Sequence, residues 1–192
     1  RLSLRRVSIL ISYIFYKTSL MCFAVFWFGI FSGFSGQNLV MEWAYQLYNV
    51  LFTSLPILIF AVFDRDIHPE VLEQHPDIYR LSSSARGAWL NMRIFWTKWM
   101  TLSFVHSLII FFLPYSLYYY SVSVESGGQS QGMWELGVLI YTSVVLITNL
   151  RLALLFRSWS WLHHMALWGS ILVYFGVMLI FNLSSVFGTA GG

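Results

Sequence analysis

The sequence predicts an all-α membrane protein with five transmembrane helices, its N-terminus cytosolic and its C-terminus exoplasmic. Three observations carry this. Of 192 residues, 58% are apolar and only 10% are charged, where a soluble domain carries about 25% charged residues. Five runs reach the roughly 20 mostly apolar residues that cross about 30 Å of hydrocarbon. Ten of the eleven Lys and Arg fall on one side of the resulting path. A chain of this size has too little interior to hide so much apolar surface, which excludes a soluble monomer, a disordered chain and a nucleic-acid binder. The single cysteine, Cys22, excludes a disulfide framework and a CxxC metal site.

The first span runs from about residue 7 to 31 and is interrupted by Lys17; it is too long for a signal peptide and has no clean small-residue cleavage site. The second, about 45–63, contains Pro56. The third, about 95–120, has Lys98 near its start and Pro114 near its end. The fourth covers about 136–156 and the fifth about 161–181. Trp43, Trp96, Trp99, Trp134, Trp159 and Trp161 mark the ends, as an interfacial belt does. The runs are continuous rather than alternating, so helices are favoured over a β-barrel.

Arg1, Arg5 and Arg6 precede the first span. Arg65, Arg80, Arg86, Arg93 and Lys98 lie between or at the edges of the second and third, and Arg151 and Arg157 lie at the end of the fourth. The segments 32–44, 121–135 and 182–192 contain no Lys or Arg. The excess of cations on cytosolic loops therefore sets the orientation. The cytosolic segment 64–93 reads as structured, with Pro69 opening a short helix through His75 and Pro76 stopping it. The exoplasmic segment 121–135 begins with a Ser/Gly/Gln-rich connector, 121–132.

Lys17 lies about 15 Å beyond Val7, near mid-membrane, where a cation costs about 3 kcal/mol on insertion scales. Its neighbours on the same helix face are Tyr13, Met21, Ala24 and Phe28, none of which neutralises it. It reads either as a structural lysine that snorkels or pairs with another helix, or as a group that meets a substrate. In the second span Gln46, Asn49, Thr53 and Pro56, spaced by three, four and three, fall on one helix face. Pro56 has no N–H to donate, so the carbonyl of Phe52 loses its helical partner. A freed carbonyl beside Asn49 and Thr53 suits a polar path, since irregular backbone survives at this depth only beside protein or a wet cavity; the other reading is a kink with interhelical hydrogen bonds. The depth difference between Asn49 and Lys17 is about 7 Å, short enough for both to line one site. His106 reads as a satisfied buried histidine, His163 and His164 as interfacial, Asn149 and Arg151 as packing, Cys22 as a small apolar filler, and Ser8, Ser12 and Ser19 as a packing stripe. All eight acids fall outside the spans, which disfavours a pump for Ca²⁺, Na⁺ or H⁺ and suits an anionic or zwitterionic substrate. No Gly-rich phosphate loop, nucleophile–base pair or metal cluster is present.

Several segments together resemble the C-terminal membrane region of type-IV P-type ATPases, the phospholipid flippases. RRVSILISYIFYKT (5–18) resembles the start of the family's fifth membrane helix, and FWFGIFSGFSGQ (26–37) with YNVLFTSLPILIFAVFDRD (48–66) the end of that helix and the sixth. HPDIYR (75–80) resembles its cytosolic loop, VVLITNLRLALLFRSW (144–159) the eighth helix and SWLHHMALWGS (160–170) the start of the ninth. The resemblance implies helices five to nine of ten and matches Lys17 and Asn49 to the family's lipid path; together with the reading of the residues, the expected headgroup path is Lys17, Thr18, Asn49, Thr53 and Pro56. Thr18 stands where the family commonly has Asn, so a headgroup preference is not carried over. It implies a phospholipid substrate moved from the exoplasmic to the cytosolic leaflet, and a plasma membrane, Golgi or endosomal location. A two-span accessory subunit is implied as a partner, touching residues 37–42 and 121–135, together with the remainder of the ATPase chain. Mg and ATP belong to the full-length enzyme; the phosphorylated aspartate motif and the nucleotide site are absent here, so this segment is expected to bind no cofactor and to have no ATPase activity alone. It is read as a piece of a longer pump, or as a non-catalytic remnant or interaction module with the same fold; an ion-transporting P-type ATPase is the third reading.

Overall fold

The computed structural model describes residues 2–63, 95–120, 133–157 and 159–189; among these the regular elements are all helices, without strands. Five helical stretches are long and apolar enough to cross a membrane: Arg6–Phe31, Glu42–Phe63, Phe95–Leu117, Glu135–Ala153 and Trp161–Phe181. The expected short helix at 69–75, the loop motif at 75–80 and the connector at 121–132 lie outside the described residues. Glu42 and Glu135, expected outside the spans, stand in the first turns of helices. A carboxylate is favoured there by the unpaired N–H groups and the dipole of the helix start.

The first span is α1 (Leu2–Phe31). It ends where Gly33 takes φ +61° and the Phe34 N–H reaches back to the Gly29 carbonyl at 2.8 Å. A residue with no Cβ adopts this left-handed conformation at little cost. The second span is broken. α2 (Glu42–Leu47) passes into a wide π turn at Tyr48–Phe52, then Thr53 (φ −132°, ψ −7°), then α3 (Ser54–Phe63). The third opens with a π turn at Phe95–Met100 and continues as α4 (Thr101–Tyr120), with Pro114 inside it. The fourth is α5 (Met133–Ala153) and the fifth α6 (Trp161–Thr189).

Side-chain pairings give the directions. Phe15 meets Phe95, Phe23 meets Phe104, and Phe31 meets Tyr115 with ring centres 4.8 Å apart, so α1 and α4 run the same way along an aromatic seam. Lys17 meets Thr53 and Arg6 meets Val62, so α1 and the second span are antiparallel. The second and fourth spans are parallel, through Tyr141 to Ala44 and Asn149 to Phe52. Trp43 stacks on Phe181 at 4.1 Å, which makes the fifth antiparallel to the second. Successive spans therefore alternate in direction. Arg6, Lys98, Arg151 and Arg157 gather at one end of the bundle; Lys17 is the described cation away from it.

The fourth span is the most enclosed. Tyr13, Tyr16, Leu20, Tyr48, Phe52, Phe60, Phe111, Ile140, Tyr141, Val144, Val145 and Leu152 form the core around it. Gly137 lets α5 approach the loop after α1, since a Cβ there would lie 2.1 Å from the Leu39 carbonyl oxygen. Ser8 and Ser12 are buried as packing residues. Cys22, by contrast, is exposed on α1 and fills no core gap. It is one position past the buried stripe of Tyr13, Lys17, Met21 and Ala24, which turns it outward.

Candidate functional site

Lys17 belongs to the buried stripe of α1, and only 6% of it is exposed. Its Nζ donates to Thr53 Oγ1 at 2.9 Å and lies 5.8 Å from the centre of the Tyr48 ring. Thr53 Oγ1 donates its own proton to the Tyr48 carbonyl at 2.6 Å. Tyr48 OH lies 3.1 Å from the Lys17 carbonyl and 3.0 Å from Thr148 Oγ1. Tyr13 OH donates to the Thr148 carbonyl at 3.2 Å. A continuous polar seam thus joins the first, second and fourth spans inside an apolar core.

The seam is neutral apart from the ammonium. Its partners are a hydroxyl and an aromatic face, and no carboxylate occurs in the first span or between residues 43 and 63 of the second. An ammonium carries three protons to donate, and the bond to Thr53 is its one hydrogen bond among the described residues. Positive charge is held in a low-dielectric site where Coulomb attraction to an anion is several-fold stronger than in water.

The break in the second span places Thr53. Pro56 is buried in the first turn of α3, and its missing N–H frees the Phe52 carbonyl. That carbonyl accepts from Asn149 Nδ2 at 3.1 Å and from Ser170 Oγ, both fully buried. Asn149 gives its second amide proton to the Val145 carbonyl at 3.0 Å, and its Oδ1 is buried without a partner. The Phe52 ring is held edge-on between Tyr141 and Tyr174.

The expectation that Gln46, Asn49, Thr53 and Pro56 share one face is corrected. Thr53 and Pro56 are buried, whereas Gln46 and Asn49 are exposed on the outer surface of the bundle. The π turn at Tyr48–Phe52 is the cause: its i→i+5 hydrogen bonding rotates the chain less per residue than an α-helix does, so the registers before and after it differ. Asn49 forms no hydrogen bond with Lys17, and the pairing is Lys17 with Thr53. Thr18 is also exposed. His106 Nδ1 is paired with Tyr16 OH at 2.6 Å, and the Arg151 guanidinium lies over Trp99 at 5.5 Å.

A family model, that of the C-terminal region of phospholipid-translocating P-type ATPases, matches residues 1–190. The chain belongs to this family. The phospholipid-transporting ATPase IH of Mus musculus is 36% identical over 177 residues, covering 92% of this chain and 15% of its own length. The probable phospholipid-transporting ATPase IM of Homo sapiens is 31% identical over 192 residues, covering 98% and 15%. The phospholipid-transporting ATPase DRS2 of Saccharomyces cerevisiae is 32% identical over 172 residues, covering 90% and 12%. The chain thus spans about a seventh of the length of these relatives. With its five candidate spans it is a multi-pass integral membrane member of this family.

Within that family setting, reasoning from the sequence found Lys17 and Thr53 but not their shared partner Tyr48, which looks like one more apolar-face aromatic. It read Asn149 as packing and did not single out Thr148 or Ser170. Asn149 and Ser170 each reach the Phe52 carbonyl of a distant span, and Thr148 meets Tyr48 and Tyr13 from two others; no local pattern encodes those partners.

Proposed function

We propose that these spans are part of the lipid passage of an ATP-driven flippase that moves phospholipid from the exoplasmic to the cytosolic leaflet. The observation that carries the reading is the Lys17 ammonium, buried at mid-span on a neutral hydroxyl with no carboxylate beside it. A cation in that setting is stabilised by a passing anion, and a lipid phosphate supplies one while its acyl tails stay in hydrocarbon. Lys17 acts as a point charge on the phosphate. Thr53 aims the ammonium and replaces a lost water hydrogen bond. Pro56 maintains the break. Asn49 and Thr18 present polar groups on the outward face, where polar side chains suit a wet path or further protein rather than plain lipid.

Mg and ATP are proposed for the whole enzyme. The described residues contain no group of three His, Cys, Asp or Glu able to hold a metal, and the metal and nucleotide sites are proposed to lie elsewhere in the enzyme. The role proposed for these spans is lipid passage alone. The basic end of the bundle is proposed to face the cytosol. A two-span accessory subunit is proposed to cover the exoplasmic turns, including residues 37–42, of which Gln37, Asn38, Met41 and Glu42 are exposed; the membrane is proposed to be plasma, Golgi or endosomal.

The test is lipid-stimulated ATPase and labelled-lipid uptake by the full-length protein in vesicles. Lys17→Ala is expected to reduce both and to raise the lipid concentration for half-maximal stimulation. Turnover and lipid affinity equal to wild type remove Lys17 from the mechanism. Stimulation by cations instead of lipids overturns the flippase reading.

A further inference from the structure

The Phe52 carbonyl accepts from two side chains that come from two different helices, Asn149 on α5 and Ser170 on α6. Both donors are fully buried. Asn149 commits one amide proton to Phe52 and the other to the Val145 carbonyl, which leaves its Oδ1 buried with no partner. An orphaned buried acceptor costs about 1–3 kcal/mol, a cost that a leucine packed at the same place does not carry. The arrangement therefore spends stability to fix one peptide group. That peptide joins Phe52 to Thr53, and Thr53 Oγ1 is the atom that receives the Lys17 ammonium. Two fixed points thus flank the break: the carbonyl pinned by α5 and α6, and the hydroxyl tied to Tyr48 and Lys17.

We propose that Asn149 and Ser170 are positioning residues for lipid translocation, holding the Phe52–Thr53 peptide so that Thr53 aims the Lys17 ammonium at the lipid phosphate. This rests on the flippase reading. Neither side chain touches the lipid; each acts through the broken span. The same link ties the fourth and fifth spans to the substrate site, so a movement of either one shifts the ammonium.

The experiment uses the full-length enzyme in vesicles. It measures phosphoenzyme formation from ATP without lipid, maximal lipid-stimulated ATPase and the lipid concentration giving half-maximal stimulation. Asn149→Ala, Asn149→Asp and Ser170→Ala are expected to raise that concentration about five- to tenfold, the size that one or two lost neutral hydrogen bonds convert to, with phosphoenzyme formation unchanged. Ser170→Thr keeps the hydroxyl and is expected to restore the wild-type value. In a Thr53→Val background, Asn149→Ala is expected to add no further shift, because the effect passes through Thr53. Should the Asn149 variants fail to fold, the Ser170→Ala and Ser170→Thr pair decides. Unchanged lipid dependence in variants that still form phosphoenzyme overturns the proposal, and so does a shift that multiplies in the Thr53→Val background. A wild type without lipid stimulation overturns the flippase reading and this proposal together. A wild type that is stimulated and sensitive to Lys17→Ala, with indifferent Asn149 and Ser170 variants, overturns this proposal alone.

Discussion

Replacing Thr53 by valine keeps the shape of the side chain and removes its hydroxyl. Two hydrogen bonds are lost: the 2.9 Å bond from the Lys17 ammonium and the 2.6 Å bond to the Tyr48 carbonyl. A bond to a charged group contributes about 1.5–3 kcal/mol, and a neutral one about 1 kcal/mol. The ammonium keeps its burial, so its lost partner is not offset by water. If Thr53 serves translocation by aiming that ammonium, the charged bond sets the functional effect. Thr53→Val then lowers lipid-stimulated turnover per unit lipid by about ten- to a hundredfold, as 1.4 kcal/mol corresponds to one factor of ten. The decisive form is a double-mutant cycle with Lys17→Met, which removes the charge at similar length. The two changes attack one interaction, so the double variant is expected to be no worse than the poorer single variant, a coupling of about 1.5–3 kcal/mol. Thr53→Ser, which keeps the hydroxyl, recovers most of the activity. The assay is ATPase against lipid concentration in the full-length protein, with a thermal melt to confirm folding. Effects that multiply, leaving a coupling below about 0.5 kcal/mol, refute the argument.

Asn49→Ala is expected to lower lipid uptake while moving the melting temperature by less than about 2 °C, because Asn49 is on the outer surface and such substitutions stay within about 0.5 kcal/mol; a large fall in melting temperature contradicts its placement. Gly137→Ala is expected to abolish folded yield, since the new methyl lies 2.1 Å from the Leu39 carbonyl oxygen, whereas Gly169→Ala, with no atom within 4 Å, is tolerated; size-exclusion profiles in detergent distinguish them. Arg6→Gln removes a guanidinium whose Nη1 donates to the Val62 carbonyl at 3.1 Å at the end of α3. Its loss is expected to cost about 0.5–1 kcal/mol through helix-end charge and hydrogen bonding, seen as a melting point lowered by a few degrees. An unchanged melting point argues against that cap.

The five spans were legible because a membrane imposes a length on any helix that crosses it. The position of the break was legible too: proline at 56 frees the carbonyl four residues earlier, and Phe52 is the carbonyl that turns to other partners. The faces of the second span were not. Counting 3.6 residues per turn through residues 46–56 groups Asn49 with Thr53, and the π turn at Tyr48–Phe52 separates them. Nothing in YNVLF announces that turn. It forms where Tyr48 and Phe52 are both drawn into the core, with Tyr48 OH beside Lys17 and Thr148 and the Phe52 ring beside Tyr141 and Tyr174. Tertiary packing therefore sets the helical register. The partners of the freed carbonyl lie 97 and 118 residues away in the chain, beyond the reach of any periodicity.

A buried charge beside a broken helix has a physical logic that neither feature has alone. An unbroken second span would have its backbone carbonyls satisfied internally, and Thr53 would lie on the face that carries Asn49. The π turn moves Thr53 inward to Lys17 and leaves Asn49 outward. One polar group thus holds the cation while another stays on the surface at neighbouring depth. The cost is a buried carbonyl without its helical partner, and the fourth and fifth spans meet that cost with Asn149 and Ser170. The cation, the break and the two donors are therefore a single device. Removing one donor leaves the Phe52 carbonyl with a single side-chain partner, and removing the Thr53 hydroxyl leaves the ammonium without its hydrogen bond, and so the effects of their substitutions are expected to be strongly non-additive.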